Sequence, residues 1–219
     1  HRYTRSLPEF IEELRRDQHA KTWFWKVQDF AEVADRWGRS LPASRVHVIT
    51  VPPAGAPSDL LWSRFATLLD LDPASFDLDQ PRSNTSLGLE QAELLRRVNV
   101  ELGDRLPLPG PYAGVVKNIL AHRILSARPG TRLALSRADT EFALERSGAI
   151  AERLGRSGYD IVGSLDELLP EAQSALDGAW SSYPEPSDAV LGGEGVAALA
   201  STLAALEANR SARQQLEQR

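Results

Sequence analysis

The stretch Arg45–Leu71, RVHVITVPPAGAPSDLLWSRFATLLDL, constrains the fold of this chain more than any other. Val46, Val48, Ile49 and Val51 form a short, nearly continuous apolar run rich in β-branched residues. That pattern predicts a strand buried on both faces of a parallel sheet. Pro52, Pro53, Gly55 and Pro57 then forbid strand and helix alike, so the chain must turn. Ser58 is placed to cap a following helix, with Asp59 in its first turn. Leu61, Phe65, Leu68 and Leu69 recur at helical spacing and predict one apolar face. The unit reads as strand, loop and helix, and in open α/β sheets ligands bind at the carboxyl end of the strands.

The flanking sequence is mostly helical. Ser6, Pro8 and Glu9 start a helix whose apolar side is Phe10, Ile11 and Leu14. The cluster Trp23, Phe24, Trp25 reads as a core anchor, with stacking on an acceptor ring or an adenine as the alternative. Phe30, Val33, Ala34 and Trp37 share a helical face ended by Pro42. A long loop to about Leu87 precedes a helix with Leu94, Leu95, Val98 and Leu102 on one side. Another helix uses Val116, Leu120 and Ile124. Ser136 with Asp139 predicts a capping box for the next, which ends near Gly158. Tyr159 to Val162 reads as a short strand, and Ser164 with Glu167 as a second capping box. Residues 1–176 thus read as one α/β domain, 177–195 as a linker and 196–219 as a tail helix. In the tail, Val196, Leu199, Leu203 and Leu206 hold a/d spacing. Its stripe is short, so the tail is expected to be dispensable to the fold.

Composition narrows the function classes. With 42 % apolar residues a real core is expected. A net charge of −5 and a pI near 5.5 argue against a general nucleic-acid binder. No signal peptide or bilayer-length apolar run is read, which predicts no membrane partner and a cytoplasmic location. The absence of cysteine excludes disulfides and thiolate metal sites. The absence of methionine predicts that the amino-terminal part of the domain precedes His1. The predicted strand then lacks some of its partners, and self-association through an exposed sheet edge or the tail helix is expected.

Arg82-Ser83-Asn84-Thr85-Ser86-Leu87-Gly88 leads into a helix amino terminus, where free backbone amides favour an anion. Arg82 has the geometry to grip a phosphate or sulfate, with Asn84 and Ser86 adding neutral hydrogen bonds. The competing reading makes Asn84 and Ser86 turn and cap residues and Arg82 a solvated side chain.

Four stretches resemble the carboxyl-terminal two-thirds of the sulfotransferase-like proteins of actinobacteria. They are TWFWKVQDFAEVADRWG, RVHVITVPPAGAPSDLLWSRFATLLDLDP, RSNTSLGLEQAELLRRVN and GYDIVGSLDELLP. The resemblance implies an α/β, P-loop-like sulfotransferase fold. Incomplete at its amino terminus, it would be mostly helical, with one central buried parallel strand and one short strand. It also implies 3′-phosphoadenosine 5′-phosphosulfate as sulfuryl donor, and a small-molecule or glycan hydroxyl or amine as acceptor. By the same resemblance Arg82, Asn84 and Ser86 become donor contacts. The family's Gly/Thr-rich phosphosulfate loop and its Arg/Ser pair for the 3′-phosphate are not found in residues 1–219. The family's Tyr-Glu pair after the strand is Pro52-Pro53 here.

Sulfuryl transfer to a hydroxyl needs a base, and histidine titrates near neutrality. His1, in a His-Arg pair similar to one in the family's acceptor region, is the candidate catalytic base. His19 reads as a surface cap, His47 as a core histidine of the strand and His122 as structural. No histidine pair has metal-ligand spacing with a carboxylate, so no metal site is expected. Two alternatives stand beside the sulfotransferase reading: a non-catalytic helical interaction module, and a P-loop nucleotide kinase-like enzyme.

Overall fold

The computed structural model describes residues 4–17, 22–78, 86–169 and 172–217. Among these the protein is mostly helical, with nine helices and a two-stranded parallel sheet. It divides into two compact units. The first comprises His1–Phe10, Ser83–Ala134 and Tyr183–Arg219, the second Ile11–Arg82 and Leu135–Ser182.

The second unit carries the strands. β1 (His47–Ile49) pairs in parallel with β2 (Asp160–Val162), with Val48 opposite Ile161. Both elements lie where the β-branched runs predicted them. Their burial differs from expectation. Val48 and Ile49 are only half-buried, His47 is exposed and Val51 is 65 % exposed. The reason is that β1 has one ladder partner and no second sheet layer among the described residues, so it is not a strand buried on both faces. α4 (Leu60–Leu68) follows the proline loop as expected, and Ala66 is its fully buried residue. Its large apolar side chains Leu61, Phe65 and Leu69 face solvent instead. Nor does Ser58 cap it: Asp59 is the N-cap residue, without a side-chain hydrogen bond.

The rest of this unit is built on aromatic contacts. α1 (Leu7–Arg16) brings Leu14 from its second half, and α2 (Trp23–Gln28) brings Trp25; both are buried. The Trp25 indole donates to the Leu14 carbonyl at 3.3 Å. Satisfying that N–H lets the ring be buried without a polar penalty. α3 (Phe30–Gly38) is capped by Asp29, which accepts from the Glu32 amide. α6 (Arg137–Arg156) starts at the expected Ser136 cap and buries Ala151 and Leu154. Gly158, at φ +72°, turns the chain from α6 into β2.

Among its described residues the first unit holds helices joined by loops and no strand. α5 (Leu89–Leu102), a π-helix (Ala113–Ile124) and the long α8 (Asp188–Glu217) surround Ile124, Leu125 and Ala198. Leu94, Leu95, Ile119 and Leu120 pack on that cluster. Leu125 is wholly buried, which is worth about 1.5–3 kcal/mol. α7 (Ala172–Asp177) is a short helix of the second unit.

The tail departs from the sequence reading. Residues 188 to 195, assigned to a linker, are the first turns of α8. Its buried residues are Leu191, Ala198 and Ala205, while the a/d stripe Val196, Leu199, Leu203 and Leu206 is exposed. The small side chains allow close approach to α5, so the alanine face, not the leucine face, is the inner one. Arg128 and Glu194 fix it further through paired bonds of 2.6 and 3.0 Å. By length and composition, Asp188–Ala208 also meets the requirement for a membrane-crossing helix, which the sequence reading had not found.

Candidate functional site at the strand ends

The carboxyl ends of β1 and β2 converge on Thr50, Arg64, Gly163, Ser164 and Glu167, all in the second unit. Thr50 follows β1 and is 1 % exposed. Its amide continues the ladder, donating to the Val162 carbonyl at 3.1 Å. Its hydroxyl donates to the Glu167 carboxylate in a short bond. Arg64, on α4, meets both oxygens of Glu167 at 2.7 Å and the Thr50 carbonyl at 2.8 Å. Glu167 itself closes the capping box with Ser164 in the turn after β2. A bidentate guanidinium–carboxylate pair of this kind is both strong and geometrically specific.

Gly163 makes the convergence sterically feasible. It sits at φ +113°, where an L side chain is strained. A Cβ there would overlap the Thr50 hydroxyl and stand 2.8 Å from an Arg64 nitrogen. The Arg64 guanidinium, with the Thr50 hydroxyl next in effect, holds the Glu167 carboxyl down at about 2. Arg64 is raised in turn by the same partner. Glu167 is therefore ionised at neutral pH and poorly suited to take a proton. Chemically the cluster is a clasp: it ties β1, α4 and the turn after β2, and so fixes where the two strand-end loops leave the sheet.

The residues singled out in the sequence are distributed differently. His1, His19, Arg82 and Asn84 lie outside the described residues. Ser86 is exposed, in the loop before α5. At the α5 amino terminus the Leu89 amide donates to the Thr131 carbonyl at 2.8 Å. The Glu90 carboxylate accepts from the Thr131 amide at 2.8 Å and hydroxyl at 2.6 Å. That hydroxyl bond, with the amides, holds the Glu90 carboxyl below its ordinary range. Gly88 caps the helix and lies against the Gly130 backbone, 2.7 Å from where a Cβ would stand. The first turn of α5 is thus packed on the 129–131 turn, and its own carboxylate occupies the dipole's positive end.

His47 is not a core residue. Its Nδ1 lies 2.7 Å from Asp160, its register partner across the sheet, and both side chains are substantially exposed. The single ladder and thin cover of β1 leave this edge open. His122 is exposed on the π-helix. Among the described residues no three His, Asp or Glu side chains group as metal ligands.

Thr50 and Arg64 were not singled out from the sequence. Arg64 reads as one more arginine on a helix surface, and its partner lies 103 residues away. Glu167 was visible only as half of a capping box. Compared with protein-family models, with curated proteins and with solved structures, the chain matches none.

Proposed function

We propose that these residues form part of a sulfotransferase-like enzyme that uses 3′-phosphoadenosine 5′-phosphosulfate. The acceptor would be a small-molecule or glycan hydroxyl or amine. In that reaction the acceptor oxygen or nitrogen forms a bond to sulfur as the sulfur–oxygen bond to the 5′-phosphate breaks. A base takes the acceptor proton and 3′-phosphoadenosine 5′-phosphate leaves. Arg82, Asn84 and Ser86 are proposed as donor contacts, and His1 as the base.

The observation that carries the reading is the parallel pairing of β1 with β2, each followed by a turn at its carboxyl end. Parallel strands with intervening helices are α/β grammar, whose ligands sit at that end of the sheet. The open edge of β1 and the exposed Val51, Leu61, Phe65 and Leu69 support it further. They are the surfaces that additional strands and helices of such a fold would cover. The four resembling stretches supply the choice of donor. Reading the sequence encoded upstream of His1 is the first test. A strand with a Pro-Lys-x-Gly-Thr-Thr-like loop supports the proposal, whereas a Walker A loop favours the nucleotide kinase-like alternative. Neither loop favours the interaction module.

One observation favours that last alternative. Val196, Leu199, Leu203 and Leu206 form an exposed a/d stripe on a helix 30 residues long. Its natural occupant is the same stripe of a second copy. Sedimentation of the chain with and without Leu199→Glu and Leu203→Glu distinguishes the two. A dimer dissolved by these substitutions supports the module, and a monomer in both cases removes it.

A further inference from the structure

The second unit holds a cavity that the strand-end cluster does not use. It is a half-open cleft of about 310 Å³, at the small end of small-molecule sites. Leu14, Phe24, Trp25, Phe142 and Ile150 are among its apolar lining. Trp25 and Phe142 meet edge-on at 6.3 Å within that lining.

Two charged side chains line it, Asp139 and Arg146, and they are served unequally. Asp139 is neutralised by Arg15, whose Nε and Nη2 approach to 2.8 and 2.6 Å, and by the Ser136 hydroxyl at 2.7 Å. Arg146 stacks on the Trp25 ring at 4.7 Å. Its Nη2 reaches Asp29 only at 3.4 Å. Its Nε is buried with no hydrogen-bond partner among the described residues. Asp29 has other partners: it caps α3 through the Glu32 amide at 3.0 Å and lies 3.9 Å from Arg153. Arg153 is itself paired with Asp35. Arg146 is therefore the lining cation with hydrogen-bonding capacity left for a further acceptor. Its Nε is shielded from the cavity as well, so an acceptor there would meet the terminal nitrogens of the guanidinium, whose side chain is 31 % exposed.

We propose that this cavity binds a small hydrophobic carboxylate, its apolar body against Leu14, Trp25 and Phe142 and its carboxylate accepting from Arg146. A carboxylate fits better than a phosphate. One arginine with a partly used guanidinium matches one negative charge better than two. A neutral ligand of the same shape would satisfy the N–H with a weaker, uncharged bond. The proposal uses only residues of the second unit and does not rest on the sulfotransferase reading.

Naphthoate and its neutral twin naphthamide test it on the 219-residue chain at neutral pH. Binding is read by calorimetry and by tryptophan fluorescence. The expected result is naphthoate binding at least about tenfold tighter than naphthamide, the ratio a charge-assisted hydrogen bond gives. In Arg146→Gln that preference should vanish, with naphthoate losing more affinity than naphthamide. Equal affinities in the unmodified chain overturn the proposal, and so does the absence of naphthoate binding up to about 1 mM, the range of weak specific sites. Both readouts use the unmodified chain, so they stand even if the variant folds poorly. A preference retained by a folded Arg146→Gln overturns it as well.

Discussion

Gly163→Ala is the substitution to which the strand-end clasp should be most sensitive. Two costs add. Alanine at φ +113° occupies a region essentially reserved for glycine, at about 1–3 kcal/mol. Its methyl group also overlaps the Thr50 hydroxyl, so the hydroxyl must leave its place between Arg64 and Glu167. Losing that hydrogen bond costs a further ~0.5–1.5 kcal/mol. The sum is about 1.5–4.5 kcal/mol, or a melting temperature lower by roughly 3–18 °C in a chain of this size. Urea unfolding followed by tryptophan fluorescence gives the free energy. Hydrogen exchange at the Thr50 amide, which donates to Val162, locates it. Gly148→Ala is the control: it lies inside α6 with open space around it and should stabilise by up to ~1 kcal/mol. If Gly163→Ala melts within about 1 °C of the unmodified chain, the clasp does not constrain the strand ends.

Acid should act on the same cluster. The Glu167 carboxyl is lowered from its ordinary 4.5 to about 2. A depressed carboxyl stabilises the fold above its unfolded value, and that contribution is lost as pH falls from 4.5 toward 2. Glu167→Gln should therefore be less stable than the unmodified chain at neutral pH, with the gap closing across this window in urea melts. A pH-independent gap would refute the ion-pair account. Removing residues 188–219 deletes Leu191, Ala198, Ala205 and the Arg128–Glu194 pair. The loss of Leu191 alone should cost about 1.5–3 kcal/mol in a thermal melt. An unchanged melt would restore the dispensable tail expected from the sequence.

Elements were easier to read than their inner faces. β1 and β2 announce themselves through Val48-Ile49 and Ile161-Val162, and α6 through its Ser136 cap. Those signals are local, carried by backbone preference and capping chemistry. Which face turns inward depends on what the chain meets in space. On α4 and α8 the largest apolar residues were the natural choice for burial. The structure buries Ala66 on α4, and Ala198 and Ala205 beside Leu191 on α8, because a small side chain permits close contact. The clasp was illegible for a related reason. Parallel pairing brings Thr50 and Arg64 to Glu167 across more than a hundred residues, and no local pattern marks an arginine that will be bound rather than solvated.

The proposed function is tested most directly by calorimetry of 3′-phosphoadenosine 5′-phosphate with the full encoded polypeptide. The account predicts saturable binding and, in Arg82→Ala, an affinity at least about tenfold weaker, the worth of a charge-assisted hydrogen bond. No binding of the nucleotide would contradict the sulfotransferase reading, and unchanged affinity in Arg82→Ala would contradict the role given to that arginine.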